Sequence, residues 1–135
     1  MIQKSSAEWL DAIRWNSEGL VPVTAQDNET GRVLTQAWMN REALATTVQL
    51  GQAVYWSRTR QQLWHKGESS GHYQEISEIR IDCDMDSLLL QVRPIGGIAC
   101  HTGRYSCFFT KLQDGRWVPV DAVIKDPEQI YGQDK

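Results

Sequence analysis

The sequence has no excess of basic residues, few cysteines and no long apolar run, and each shortage removes a class of function. Its 14 Lys and Arg stand against 17 Asp and Glu, a formal charge of −3, which argues against holding nucleic acid by bulk electrostatics. Local basic clusters can still take one or two phosphates. No stretch approaches the roughly 18 consecutive apolar residues of a spanning helix. The opening MIQKSSAEWLDAIRW is interrupted by Glu8, Asp11 and Arg14, so the apolar segment of a secretory signal is missing and a cytoplasmic address is expected. Three cysteines cannot pair off internally, and a reducing cytosol keeps thiols free, so metal binding or catalysis explains them better than a disulfide framework. A buried, inert thiol is the plain alternative for any one of them. No internal repeat or low-complexity segment is present. What remains is 135 residues, 41% hydrophobic and 23% charged, the profile of one soluble globular domain over 1–135 with a sizeable core.

Local signals predict an α+β domain. Ser5 or Ser6 opens a short helix, with Glu8 placed for a capping box on Ser5. LVPVTAQDNETGRVLTQAWMN reads as a hairpin: Val21, Val23 and Ala25 alternate with polar neighbours, DNETG supplies turn formers, and Val33 to Met39 returns as the second strand. Asn40 suits an N-cap for the helix REALATTVQL, with Leu44 and Val48 one turn apart and Gly51 at a left-handed C-cap. AVYWSR reads as a strand and TRQQLWHKGESSGHYQ as a long polar loop, a kind that is usually functional or disordered. EISEIRIDCDMD and SLLLQVRPIG form two strands with a bend near Met85 to Ser87, RYSCFFTKLQDGRWVPV forms a last hairpin turning at Asp114-Gly115, and the tail from Asp121 to Lys135 is polar. This order predicts mainly antiparallel sheet with a few short helices at one side or end.

The sharpest chemical signal is DCDMD, where Asp82, Asp84 and Asp86 alternate with Cys83 and Met85. On a strand the aspartates share one face and Cys83 takes the other. Three carboxylates on one face repel unless a cation lies between them, and hard oxygen donors suit Mg²⁺ or Ca²⁺. Alternate strand residues lie about 6.7 Å apart, so one ion can serve all three only if the chain bends near Met85 or waters bridge. An EF-hand fails on position, with Ser87 where Gly belongs and Arg93 where Glu belongs.

Cys83, Cys100 and Cys107 supply three thiols, the ligand number of a catalytic zinc site that keeps a position open for water. Closing the set with His101 would make a structural site instead, and inert thiols are the third alternative. A water on an open zinc can ionise near neutral pH and attack an electrophilic carbon. His101 is then placed to move protons, while its bland reading is a core histidine satisfied by a carbonyl. His65 and His72 in the long loop are second candidates, as surface residues or substrate contacts. In SRTRQQLWHKGESSG, Arg58, Arg60 and Lys66 can meet phosphates, Ser69 and Ser70 can hydrogen-bond them, and Trp64 offers a face for a purine. Glu68 can orient a cation or bind a metal, and Arg104, between the later two cysteines, joins the candidate substrate contacts.

Taken together, SRTRQQLWHKGESSG, IDCDMDSLLLQV and ACHTGRYSCFF, in this order and preceded by GRVLTQAWMNREAL, resemble the phosphoribosyl-AMP cyclohydrolases of histidine biosynthesis from about Leu20 to Phe109. Ile98 stands where that family often has proline. The resemblance implies hydrolysis of the N1–C6 bond in the adenine ring of N1-(5-phosphoribosyl)-AMP. It makes Cys83, Cys100 and Cys107 the zinc ligands and Asp82, Asp84 and Asp86 the magnesium site. It also implies a homodimer sharing zinc, with Cys83 from one chain and Cys100 and Cys107 from the other. Two rivals stand beside it. A zinc base deaminase would carry H-x-E and P-C-x-x-C, which are absent; a zinc-stabilised binding module without catalysis would close the metal with a fourth protein ligand.

Overall fold

The computed structural model describes residues 8–131, so the expected caps at Ser5 and Ser6 lie outside the described residues. Its centre is a four-stranded sheet. Strand β1 (Val21–Asp27) pairs antiparallel with β2 (Val33–Met39) from Val21↔Met39 to Gln26↔Val33, with a bulge between Ala25 and Gln26. The hairpin predicted around DNETG is therefore present. On its other edge β1 meets β6 (Leu88–Pro94) in parallel, and β6 pairs antiparallel with β5 (Gln74–Ile81), giving the order β2-β1-β6-β5. The sheet is antiparallel apart from that one central pair.

Alternation explains the core. Val21, Val23 and Ala25 of β1 and Leu88, Leu90 and Val92 of β6 are buried, each at most 3% exposed, and point to one face because side chains in a strand alternate with period two. Full burial of each larger aliphatic contributes about 1.5–3 kcal/mol. Helix α1 (Arg41–Leu50) packs on β2 and on β3 (Val54–Ser57). Its N-cap is Asn40, whose side chain accepts from the Ala43 N–H at 2.8 Å, and Gly51 at φ +74° ends it by donating to the Thr47 carbonyl. Its inward face is Ala43, Leu44 and Thr47, which are buried, whereas Val48, one turn after Leu44, is 50% exposed. Thr47 tolerates the interior because its hydroxyl donates to the Ala43 carbonyl at 2.8 Å and accepts from the Val54 N–H at 2.9 Å.

Two small hairpins complete the architecture. The segment expected as one long loop contains β4 (Gln62–His65), paired antiparallel with β3 from Val54↔His65 to Ser57↔Gln62. Irregular chain is confined to the turn at 58–61 and to residues 66–73. The last hairpin, β7 (Thr110–Gln113) and β8 (Arg116–Pro119), turns at Asp114-Gly115 as expected, but residues 104–109 are not part of it. Their polar groups bond sideways to β2 instead: the Cys107 N–H donates to the Leu34 carbonyl at 2.8 Å, and the Ser106 hydroxyl to the Val33 carbonyl at 2.8 Å. The tail also folds back. Ile130 of helix α2 (Pro127–Tyr131) is 5% exposed, and the Ile124 and Lys125 N–H groups donate to the Gly103 carbonyl.

Candidate active site

The aspartates of DCDMD do not lie on a strand. β5 ends at Ile81, and residues 82–87 form the turn into β6, closed by the Met85 N–H on the Asp82 carbonyl and the Asp82 N–H on the Ser87 carbonyl, both at 3.0 Å. Met85 takes φ +62° at the bend, where the sequence placed it. The turn replaces strand alternation and gathers what a straight strand would separate: one carboxylate oxygen each from Asp82, Asp84 and Asp86 lie within 4.8 Å of one another. Asp86 has its carboxyl pushed above the usual range, by desolvation first and then by the charges of Asp82 and Asp84. A hard cation seated among three such oxygens would relieve that repulsion, so the donor set fits Mg²⁺.

The thiols are divided. Cys100 is buried in a turn where the Gly103 N–H donates to the Cys100 carbonyl at 3.0 Å, and the Thr102 hydroxyl donates to Cys100 Sγ at 3.1 Å. Gly103, at φ +85°, cannot be replaced without disturbance, because a Cβ there would lie 1.7 Å from the Lys125 carbonyl oxygen. Cys107 lies beside Cys100, and its thiol is pushed up to about 11 by desolvation, the Cys100 charge and a hydrogen bond with Cys100. Two adjacent thiols supply donors of the kind a soft metal takes. Cys83 is exposed on the acidic turn, and among the described residues only the aspartate trio brings three such donors within 4.8 Å of one another. The three cysteines do not converge within one chain.

The loop carrying Cys100 and Cys107 is tied to the sheet by a contact that sequence reading missed. Tyr105 donates through its hydroxyl to Asp27 Oδ2 and shares a 2.6 Å hydrogen bond with the Thr30 hydroxyl. Desolvation works to raise the Asp27 carboxyl, but hydrogen bonds from Tyr105, the Glu29 and Thr30 N–H groups and the Thr30 side chain hold it below its ordinary value. Nothing local in either stretch signals a pairing 78 residues apart.

A cleft of about 640 Å³ gathers most of the expected substrate residues: Arg60, Trp64, Lys66, Glu68, Ser69 and Ser70 line it, and His101 faces them from the thiol loop. Ser57, Thr59 and Gln62 also line it; the first two belong to the SRTR stretch, whose hydroxyls were the available signal. Gly67, at φ +95°, lets the loop close, since a Cβ would lie 2.4 Å from the Tyr73 nitrogen. Four candidates sit elsewhere. Arg58 stacks 4.5 Å from the Trp38 ring centre, and Arg104 stacks 3.9 Å from that of Phe109 while donating to the Asp121 carbonyl at 2.8 Å. His72 is buried, with Nδ1 3.0 Å from the Ile95 carbonyl and Nε2 unpartnered. His65 pairs with Gln52 at 2.8 Å and stacks on Tyr73.

Residues 35–109, which contain the thiols, the acidic turn and the cleft loop, match the family model for phosphoribosyl-AMP cyclohydrolase. The chain belongs to the phosphoribosyl-AMP cyclohydrolase family. A curated relative of that name from Methylococcus capsulatus is 64% identical over 92% of this chain and 97% of its own length. Those from Nitrosomonas europaea and Thioalkalivibrio sulfidiphilus are 62% and 59% identical over 92% and 94% of this chain, and 96% and 97% of their own. Membership makes the protein a hydrolase. No helix among the described residues is long and apolar enough to cross a membrane.

Proposed function

We propose that the protein opens the adenine ring of N1-(5-phosphoribosyl)-AMP by hydrolysing the N1–C6 bond, a step of histidine biosynthesis, as a zinc- and magnesium-dependent homodimer in the cytoplasm. The observation that carries this reading is the cleft itself. It puts an aromatic face, two cations, two serines and His101 around one space, beside two adjacent thiols. Trp64, 39% exposed at the cleft, offers its ring to the purine, while Arg60 with Ser69 and Ser70 meets phosphate. His101 is exposed and unencumbered, and moves the proton. Water adds its oxygen to C6, which becomes the carboxamide carbon; one of its protons goes to the exocyclic nitrogen on C6 and the other to N1 as the N1–C6 bond breaks. Zinc on Cys100, Cys107 and a second chain's Cys83 would supply an activated water at neutral pH; Mg²⁺ on Asp82, Asp84 and Asp86 would help orient substrate phosphate.

Two features support a second chain. Cys83 lies apart from the other thiols, and the β7–β8 hairpin pairs only with itself among the described residues, with Trp117 72% and Leu112 57% exposed. An isolated two-stranded hairpin is marginal in water without a partner surface.

Incubation with phosphoribosyl-AMP and both metals should give the absorbance change of ring opening, abolished by a zinc chelator. A folded, metal-loaded protein without turnover would refute the activity. Sharing of the metal has its own test. Cys83→Ala and Cys100→Ala should each be inactive, and refolded together they should regain about a quarter of wild-type activity, because half the dimers carry one intact site of two. No recovery in mixed dimers would place all three ligands in one chain.

A further inference from the structure

His72 follows the two serines of the cleft loop without lining the cleft itself. It is 8% exposed, and its ring joins two segments. Nδ1 lies 3.0 Å from the Ile95 carbonyl oxygen; a carbonyl only accepts, so the ring carries its proton on Nδ1. Nε2 is buried as well and bonds no group among the described residues. The Ile95 N–H in turn donates to the Tyr73 carbonyl at 2.9 Å, so Ile95 is held at both its polar groups by consecutive residues. Gly96, at φ +80°, lies against the ring: a Cβ there would be 2.5 Å from Nδ1 and 2.8 Å from Cε1.

The serine stretch has few other ties. Within it the backbone bonds are local, from the Glu68 N–H to the His65 carbonyl at 3.1 Å and from the Gly71 N–H to the Gly67 carbonyl at 2.7 Å. Among the described residues its polar links to the rest of the molecule come at its ends, the Lys66 N–H on the Ala53 carbonyl at 3.1 Å and the two bonds to Ile95. The second end reaches Ser70 directly. The His72 N–H donates to the Ser70 hydroxyl oxygen at 3.1 Å, which leaves the proton of that hydroxyl to be given to a ligand.

We infer that His72 is a positioning residue and not a substrate contact: its Nδ1–H clamps the serine stretch to the 95–97 turn and so fixes where Ser69 and Ser70 meet phosphate. This deepens the proposed function and rests on its placing of phosphate at the two serines.

Asparagine and glutamine separate the two ring nitrogens, because the amide of Asn reaches the place of Nδ1 and that of Gln the place of Nε2. The full-length protein is assayed by ring opening with zinc and magnesium saturating. His72→Asn should keep KM and kcat within about threefold of wild type. His72→Gln should leave the Ile95 carbonyl unpaired and raise the KM for phosphoribosyl-AMP on the order of tenfold, the worth of one buried hydrogen bond, with kcat within about threefold. The reverse order, with Gln active and Asn impaired, would make Nε2 the working atom and overturn the inference. Equal KM values in the two variants, or a fall in kcat at unchanged KM, would overturn it too. If His72→Gln fails to fold, Gly96→Ala opens the same clamp from the other side, and a wild-type KM in that variant is equally fatal. Absence of turnover in the wild-type protein would instead refute the proposed function, so the two failures are distinguishable.

Discussion

Tyr105→Phe deletes one oxygen and tests how the thiol loop is anchored. The lost hydroxyl donates to the Asp27 carboxylate, which is 6% exposed, and also bonds Thr30. Hydrogen bonds to a charged group contribute about 1.5–3 kcal/mol, and orphaning the acceptor adds to the loss. Asp27 Oδ2 loses this partner, but the carboxylate keeps two hydrogen bonds on Oδ1, from the Glu29 N–H at 2.8 Å and the Thr30 N–H at 3.4 Å. The loss therefore belongs at the lower end, about 1.5–2 kcal/mol, or roughly 5–8 °C in Tm for a domain of this size. It also has a pH signature. The folded Asp27 carboxyl lies below its ordinary value of 3.8, so the stability it contributes is fully present above that value and is lost as pH falls through the lower folded one. Tyr105→Phe takes away a principal cause of that depression. Urea unfolding followed by tryptophan fluorescence, at fixed protein concentration, should show a constant gap between wild type and variant from pH 5 to pH 8 that narrows below about pH 4. A gap that persists undiminished in acid, or one smaller than about 0.5 kcal/mol at pH 7, would refute the account of this contact.

Further outcomes are expected. Mg²⁺ should raise the Tm of the wild-type protein. Asp84→Asn should raise the metal-free Tm slightly, by relieving the repulsion that pushes Asp86 up, and should abolish most of the Mg²⁺ shift; thermal scans with and without Mg²⁺ check both. Because the Asp86 carboxyl is raised, metal-free wild type should gain stability as pH falls through that raised value, a gain absent when Mg²⁺ is saturating. Cys100→Ala should lose bound zinc and ring-opening activity together, read by metal analysis and absorbance. Gly103→Ala should displace the 124–125 segment, whose carbonyl occupies the space of the new Cβ, and cost more than about 2 kcal/mol in urea unfolding.

What the sequence made legible was whatever is encoded within one turn or one hairpin. The alternation of Val21, Val23 and Ala25, the caps at Asn40 and Gly51, and the Asp114-Gly115 turn are local instructions, and the chain follows each of them. Strand β4 escaped because Gln62, Leu63, Trp64 and His65 present no buried position to set a pattern; its partner β3 supplies the register. Residues 104–109 look like a strand by composition, yet Ser106 and Cys107 bond to Val33 and Leu34 on β2, a long-range choice with no local signal. Ile130 is the one buried apolar residue of the tail among the described residues, while Val123 and Ile124 are exposed, so no periodic pattern marks it.

The candidate site divides along the same line, and the division is informative about how such a site is built. Donor chemistry was readable residue by residue: carboxylates for a hard cation, thiols for a soft one, a histidine and a purine-sized aromatic ring. Their assembly follows from turns, not strands. The acidic trio converges because Met85 adopts a left-handed conformation that reverses the chain, and His101 reaches the cleft because the Cys100–Gly103 turn is locked between Gly103 and the returning tail. The same turns leave Cys83 on one loop and the Cys100–Cys107 pair on another. In the proposed zinc-sharing dimer, a chain that gathers its acidic trio but keeps its thiols in two pieces leaves the second assembly step to association, so metal loading and subunit association should be coupled. Dilution toward monomer should then release zinc before it releases magnesium.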